Sequence, residues 1–359
     1  MKSEYLDLLK SLIACRPITA DIAAVNRASA LLETFLLSHD VRVVREEING
    51  RNTLYASCLS EGKESAVLFN AHLDVVPLST PDQGIPLEKD GLLYGRGAGD
   101  CLNHVVCIAQ ILVENPGRSA AAIFTTDEEG GGRTTAEMLE RGYKASKGAV
   151  ILDTWSRNAI GTAEKGVLHI DLTAHGRSGH TAMPWLADNA LDRLVKSYAK
   201  LLDAWQQPTG DDNWKDSLAA TGVDTFPPAS NVIPETATMH LNIRYVDPDS
   251  KEKIVRKIQE ITGLEDVVIK SSCVPVFCDE SSAFLQELKA IASRISGSEI
   301  SFFRMDGATD ARHIALKYPE LPIIIDGMRH GNIHSAGEWL DLSDYDRALS
   351  IYSEFVKAL

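Results

Sequence analysis

Three short apolar runs, each ending in residues able to bind a metal ion, constrain this chain more than any other feature. The first runs from Ala66-Val67-Leu68-Phe69 into Asn70-Ala71-His72-Leu73-Asp74. The second runs from Ala121-Ala122-Ile123-Phe124 into Thr125-Thr126-Asp127-Glu128-Glu129. The third, Gly148-Ala149-Val150-Ile151-Leu152, stops at Asp153. Apolar runs without polar alternation suit strands buried on both faces, as in a parallel sheet. In open α/β sheets, ligands sit beyond the carboxyl ends of such strands. His72, Asp74, Glu128, Glu129 and Asp153 are therefore expected on one rim. A fourth run, Leu321-Pro322-Ile323-Ile324-Ile325, leads into a loop carrying His330 and His334.

A length of 359 residues suits two domains better than one. Before Gly166 the chain alternates strand and helix patterns, with helices expected near 3–14, 21–38, 102–114 and 133–141. The texture then changes. Val167 to Ala174 alternates like a half-exposed strand, and Asn189 to Trp205 reads as an amphipathic helix. Strands near 217–222 and 237–244, a helix over Ser250–Thr262 and a strand over Asp266–Ser271 complete a β-α-β-β-α-β order. That order is ferredoxin-like. The expectation is an α/β domain formed by 1–166 and 273–359, with an α+β domain inserted over 167–272. A helix near 281–295 belongs to the returning chain.

The net charge of -14, with no basic stripe, argues against a nucleic-acid partner and weighs against anionic membranes. No apolar run approaches the roughly 18 residues of a membrane span. The opening MKSEYLDLLKSLIAC reads as an amphipathic helix and not as a signal peptide. The cysteines (Cys15, Cys58, Cys101, Cys107, Cys273 and Cys278) form no CxxC pair, which suits reduced thiols in the cytoplasm.

The candidate ligands allow a definite chemistry. His72 and Asp74 are two apart at a strand end and share a face, so one can bind metal while the other orients it. Glu128 and Glu129 diverge as neighbours, so one can bind metal while the other faces substrate. Asp100 follows the Gly-rich turn GRGAGD; by itself it also reads as a turn residue or a cap for 102–114. Together with Asp153 and His334 these form a mixed nitrogen and oxygen set suited to zinc, cobalt or manganese. The set is too large for one tetrahedral ion with an open position, and about right for two ions sharing a carboxylate. The leftover glutamate then suits a general base. His330 reads as structural.

The segments HLDVVP, GRGAGD, TTDEEGGG, GRSGHTAMP, NVIPETATMHLNIRY, DGATDAR and NIHSAGEWL occur in one order along the chain. In that combination the chain resembles the co-catalytic zinc exopeptidase and deacylase family. Its members include acetylornithine deacetylase, succinyl-diaminopimelate desuccinylase, aminoacylase and glutamate carboxypeptidase. The resemblance implies a zinc-exopeptidase-like catalytic domain with an inserted ferredoxin-like domain that serves as lid and dimer contact. It implies one zinc on His72 and Asp153, another on Glu129 and His334, and Asp100 bridging them. Glu128 would be the general base and Asp74 the partner of His72. His180 would stabilise the oxyanion, often from the second subunit of a homodimer. Asn231 and Arg244 would handle a substrate carboxylate, and Gly307 and Thr309 would lie in a substrate-facing loop. The resemblance also implies a cis peptide after Asp100. The implied substrate is an N-acyl amino acid or a short peptide.

Two departures stand out. Cys101-Leu102-Asn103 replaces the family's usual Met-Lys-Gly, removing a lysine expected near the site entrance. Asp153 stands where the deacetylase branch usually has Glu. Lys165, just before the small domain, reads either as a contact for a substrate carboxylate or as a hinge residue. A dinucleotide-dependent oxidoreductase is disfavoured, because Asp100 follows Gly95–Gly99 where a pyrophosphate would have to sit. A metal-binding protein without catalysis leaves Glu128 unexplained.

Overall fold

A computed structural model describes residues 1–155, 158–210 and 212–359. They divide into two compact units, Met1–Ala163 with Phe277–Phe303 and Thr309–Leu359, and Glu164–Val276 with Arg304–Ala308.

The larger unit is built on a mixed sheet. Its central strands are Ala120–Thr125, Glu64–His72, Lys144–Thr154 and Ile323–Gly327, side by side in that order and all parallel. They are the four apolar runs of the sequence, and their cores from Val67, Ala120, Ala149 and Ile323 onward are buried. Full burial of side chains such as Phe69 and Phe124 contributes about 1.5–3 kcal/mol each. The hairpin Arg42–Ile48 with Arg51–Ser57 extends one edge antiparallel. It closes at Asn49-Gly50, both at positive φ (53° and 77°), the two-residue turn that matches strand twist. Helix Leu102–Glu114 is buried from Leu102 through Leu112 and joins the same core as the C-terminal helix Leu342–Ala358.

The smaller unit carries a four-stranded antiparallel sheet ordered Ser217–Phe226, Thr236–Tyr245, Gly166–His175, Asp266–Cys273. Numbered by sequence this is 2-3-1-4, the ferredoxin-like arrangement. Thr236–Tyr245 alternates half-buried and buried residues along its whole length. The buried face packs with helices Ala190–Ala204 and Lys251–Thr262 through Leu194, Leu201, Ile254 and Ile258.

The unit boundaries fall at Glu164 and Val276, where the sequence suggested 167 and 272. One further segment differs from expectation. Arg304–Ala308 groups with the smaller unit, because Lys165 N donates to Met305 O and Lys165 Nζ pairs with Asp306 at 2.9 Å. No disulfide joins the cysteines among the described residues. Among the described residues no helix is long and apolar enough to cross a membrane.

Candidate metal centre

The strand ends carry the candidate ligands to neighbouring positions. His72 is the last residue of its strand and lies in register with Thr125, the last of the next. The chain leaving Thr125 turns through Glu128–Gly130, and Asp153 sits near the end of Lys144–Thr154. Asp100 ends the glycine turn, and the peptide to Cys101 is cis. His334 has a left-handed φ of 58°, rare for a residue with a side chain.

These side chains meet in the larger unit. His72 Nε2 lies 3.0 Å from Asp100 Oδ1 and 3.3 Å from Asp153 Oδ1. His334 Nε2 lies 3.1 Å from Asp100 Oδ2 and 3.1 Å from Glu129 Oε1. Asp100 thus offers one oxygen to each histidine, and the groups fall into two halves sharing that carboxylate. His72, Asp100 and Glu129 present ligand atoms all within 4.8 Å of one another, as do His72, Cys101 and Asp153.

The supporting contacts explain how these positions are held. His72 Nδ1 donates to the backbone carbonyl of Asp74 at 2.8 Å, leaving Nε2 free to act as a ligand. The Asp74 carboxylate is farther from the imidazole, 3.6 Å at Oδ1. It accepts instead from Thr19 Oγ1 at 2.8 Å, Glu128 N at 3.0 Å and Glu129 N at 3.3 Å. The carboxylate expected to orient His72 therefore also fastens the turn that presents both glutamates. Glu338, which the sequence reading passed over inside NIHSAGEWL, is fully buried. Its Oε1 accepts from the N–H groups of Gly97, Gly99 and Asp100 at 2.9–3.0 Å, and its Oε2 pairs with Arg96 at 2.5 Å.

The electrostatics are those of a cation site. Burial drives the Asp153 carboxyl up to about 7 and Glu128 well above its ordinary range, with Asp153 and Asp310 adding to the latter. Burial opposes the charged forms of His72 and Asp100. Even so, Cys101, Asp153 and Asp100 raise His72 well above its usual value, and His334 and His72 hold Asp100 below its own. Hydrogen bonds to Asp100 and Glu129 lift His334 to about 10. Such crowding of carboxylates is costly unless positive charge is supplied. The imidazoles supply some as protons; a divalent cation supplies more. The spacings of 3.0–3.3 Å match neighbouring ligand atoms held about 2.0–2.2 Å from a shared ion. The donor set fits metal.

The Cys101-Leu102-Asn103 departure is wholly buried. Cys101 Sγ accepts from His72 N at 3.4 Å and donates to Leu152 O at 3.3 Å, and burial pushes its thiol up to about 12. Leu102 packs where a Cβ on Gly97 would collide with it, at 2.6 Å. His330 packs against Gly99.

The remaining candidates are spread differently. Thr309 is buried in the larger unit, and its Oγ1 accepts from Ala311 N at 3.1 Å, starting helix Ala311–Lys317. Two residues of the same motif, Asp310 and Arg312, escaped the sequence reading. Arg312 Nη2 lies 3.0 Å from Glu128 Oε1. In the smaller unit, His180 pairs in register with Val232, and Thr181 N donates to Asn231 O at 3.3 Å, so His180 and Asn231 share one corner. Arg244 lies elsewhere, in a pocket of about 310 Å³ with Lys165, Ser217 and Asp306. Gly307 is exposed in the Arg304–Ala308 segment. Lys165 is buried, with its Nζ bound to Asn213 O at 2.5 Å and Asp306 at 2.9 Å.

The chain is 29% identical to a succinyl-diaminopimelate desuccinylase of Rhodospirillum centenum, over 98% of this chain and 96% of that one. Among solved structures it is similar to a tripeptidase from Staphylococcus aureus, at a TM-score of 0.80 and 16% identity over 99% of this chain and 97% of the other. An M20 family metallo-carboxypeptidase from Sulfolobus solfataricus matches at a TM-score of 0.79 and 16% identity, over 99% of both. The pattern of Peptidase family M20/M25/M40 matches residues 68–358, which include every ligand candidate named above. The chain belongs to Peptidase family M20/M25/M40, and it is a metal-dependent hydrolase of amide bonds.

Proposed function

We propose that this hydrolase is a dizinc enzyme that removes the acyl group from an N-acyl amino acid. The observation carrying the reading is the Asp100 carboxylate, whose two oxygens face two different histidines at 3.0 and 3.1 Å. His72 and Asp153 would hold one zinc, Glu129 and His334 the other, and Asp100 both; cobalt or manganese suits the same donors. Bound ions would polarise the scissile carbonyl and acidify the attacking water. Glu128 takes the proton of that water and passes it to the leaving amine. Burial favours the protonated form of Glu128, which suits the second transfer, while the adjacent cations favour the carboxylate needed for the first. Asp74 and Glu338 keep the ligand-bearing turns in place.

In this reading 1–166 and 273–359 form the catalytic domain, and 167–272 form a lid and dimerisation domain. His180 stabilises the oxyanion from the second subunit of a homodimer. Asn231, Arg244, Gly307 and Thr309 contact the small-molecule substrate. Two features support the dimer. Ser217–Phe226 is an edge strand of its sheet, and helix Ala190–Ala204 exposes Val195 and Leu202, seven residues apart on one face. Cysteines without disulfides and the net charge of -14 support a cytoplasmic enzyme with neither nucleic-acid nor membrane partner. The desuccinylase relatives support the acyl substrate. The tripeptidase and carboxypeptidase structures support a second reading, an exopeptidase cleaving dipeptides or C-terminal residues. A panel of N-acetyl, N-succinyl and dipeptide substrates, offered to zinc-loaded protein, separates them. Turnover of N-acyl amino acids alone supports deacylation, turnover of dipeptides alone supports the exopeptidase, and turnover of neither contradicts both.

A further inference from the structure

We propose that Arg312 is the positioning residue of the catalytic base, holding Glu128 by one carboxylate oxygen so that the other is presented to water. The proposal rests on Glu128 being the base.

Arg312 Nη2 lies 3.0 Å from Glu128 Oε1, and both side chains are nearly buried, at 8% and 11% exposure. A guanidinium this dry is costly without anionic neighbours. It has two. Asp310 Oδ1 lies 3.7 Å from the same nitrogen. Asp310 is itself fixed, since its Oδ2 accepts from Thr125 Oγ1 at 3.0 Å and Thr135 Oγ1 at 2.5 Å. Thr125 ends the strand that leads into the Glu128 turn, and Thr135 lies in the helix that follows it. The chain of contacts thus starts and ends on one strand–turn–helix unit, passing through Asp310 and Arg312.

The triple glycine after Glu129 belongs to the same arrangement. A Cβ on Gly132 would fall 1.9 Å from Asp310 Oδ1, 2.8 Å from His313 Nε2 and 3.1 Å from Arg312 Nη2. His313 Nε2 also reaches Gly131 O at 3.0 Å. Glycine at 132, with φ of 68°, clears the space through which this loop docks on the Glu128 turn. A rigid carboxylate with one oxygen engaged gives a base of fixed direction. Freed of the arginine, Glu128 can rotate away from the water while remaining chemically intact.

The test is a double-mutant cycle on zinc-loaded protein, using the best-cleaved member of the N-acetyl, N-succinyl and dipeptide panel. Arg312→Ala should lower kcat by about 10–100-fold with KM changed less than about threefold, the scale of a misplaced catalytic group. Bound zinc should be unchanged, and millimolar guanidinium should restore part of the rate. In a Glu128→Gln background the same arginine substitution should cost less than about twofold, because its effect passes through Glu128. Arg312→Gln serves in the same cycle if the alanine variant does not fold. Equal losses in both backgrounds, a loss confined to KM, or loss of zinc would each overturn the proposal while leaving the base assignment intact. Wild-type kcat in Glu128→Gln alone would overturn the base assignment itself, and this proposal with it.

Discussion

Glu338 provides a stringent check on how the Asp100 carboxylate is held. One of its oxygens accepts three backbone N–H groups, from Gly97, Gly99 and Asp100, and the other pairs with Arg96. Glu338 and Arg96 have side-chain exposures of 0% and 2%. Glu338→Ala leaves a buried guanidinium unpaired and three N–H groups without an acceptor. Removing one partner of a buried ion pair costs about 3–5 kcal/mol, and the lost hydrogen bonds overlap with that figure. Glu338→Gln keeps one acceptor oxygen but turns an NH₂ toward Arg96, so a loss of about 1–3 kcal/mol is expected. Urea denaturation of the metal-free variants measures both without stabilisation by bound ions. Zinc affinity, read by competition with a chromophoric chelator, should fall about 10–100-fold in the alanine variant as the Asp100 turn loosens. An alanine variant that unfolds at the wild-type urea concentration and binds zinc as tightly would show that Glu338 does not hold the Asp100 turn.

Further outcomes can be checked independently. Glu128→Gln should keep the fold and both metals but lose about 10²–10⁴-fold in kcat, whereas Glu129→Gln should lose metal first; elemental analysis beside kinetics distinguishes them. Zinc affinity should rise with pH, because His334, raised to about 10, and His72 hold protons that a cation must displace. Calorimetry in buffers of differing ionisation enthalpy should detect proton release at pH 7, and none would count against the ligand set. Without metal the sign is the reverse for stability. The contribution of His334 is full below about 6.5 and lost as pH rises through about 10, so the urea midpoint should drop across that interval. Leu202→Asp should give a monomer in sedimentation if the helix face is the dimer contact; an unchanged dimer would exclude that face.

The sequence revealed the candidate ligands more clearly than the residues that support them. Strand ends were legible because strands buried on both faces read as uninterrupted apolar runs, and His72, Glu128 and Asp153 follow directly from them. The first half of Lys144–Thr154 was not, since Lys144–Lys147 is polar and partly exposed, and only pairing with Glu64–Ser65 makes it a strand. The hairpin at Asn49-Gly50 carries a readable turn signal but no uninterrupted apolar run on its first strand. Glu338, Asp310 and Arg312 read as ordinary charged loop residues. Their partners, Asp100, Thr125 and Glu128, lie far away in sequence, so only the folded chain shows them buried. Lys165 illustrates the converse: a lysine with a suggestive position proves to have its charge satisfied by Asn213 and Asp306.

A binuclear centre built on Asp100 fixes the metal stoichiometry of the protein. Purified protein stripped with chelator, reconstituted with excess zinc and desalted should contain two zinc ions per chain by elemental analysis. Asp100→Ala, which removes the shared carboxylate, should retain fewer than two. A wild-type protein holding no more than one zinc, or an Asp100→Ala variant still holding two, would rule out a binuclear centre on Asp100.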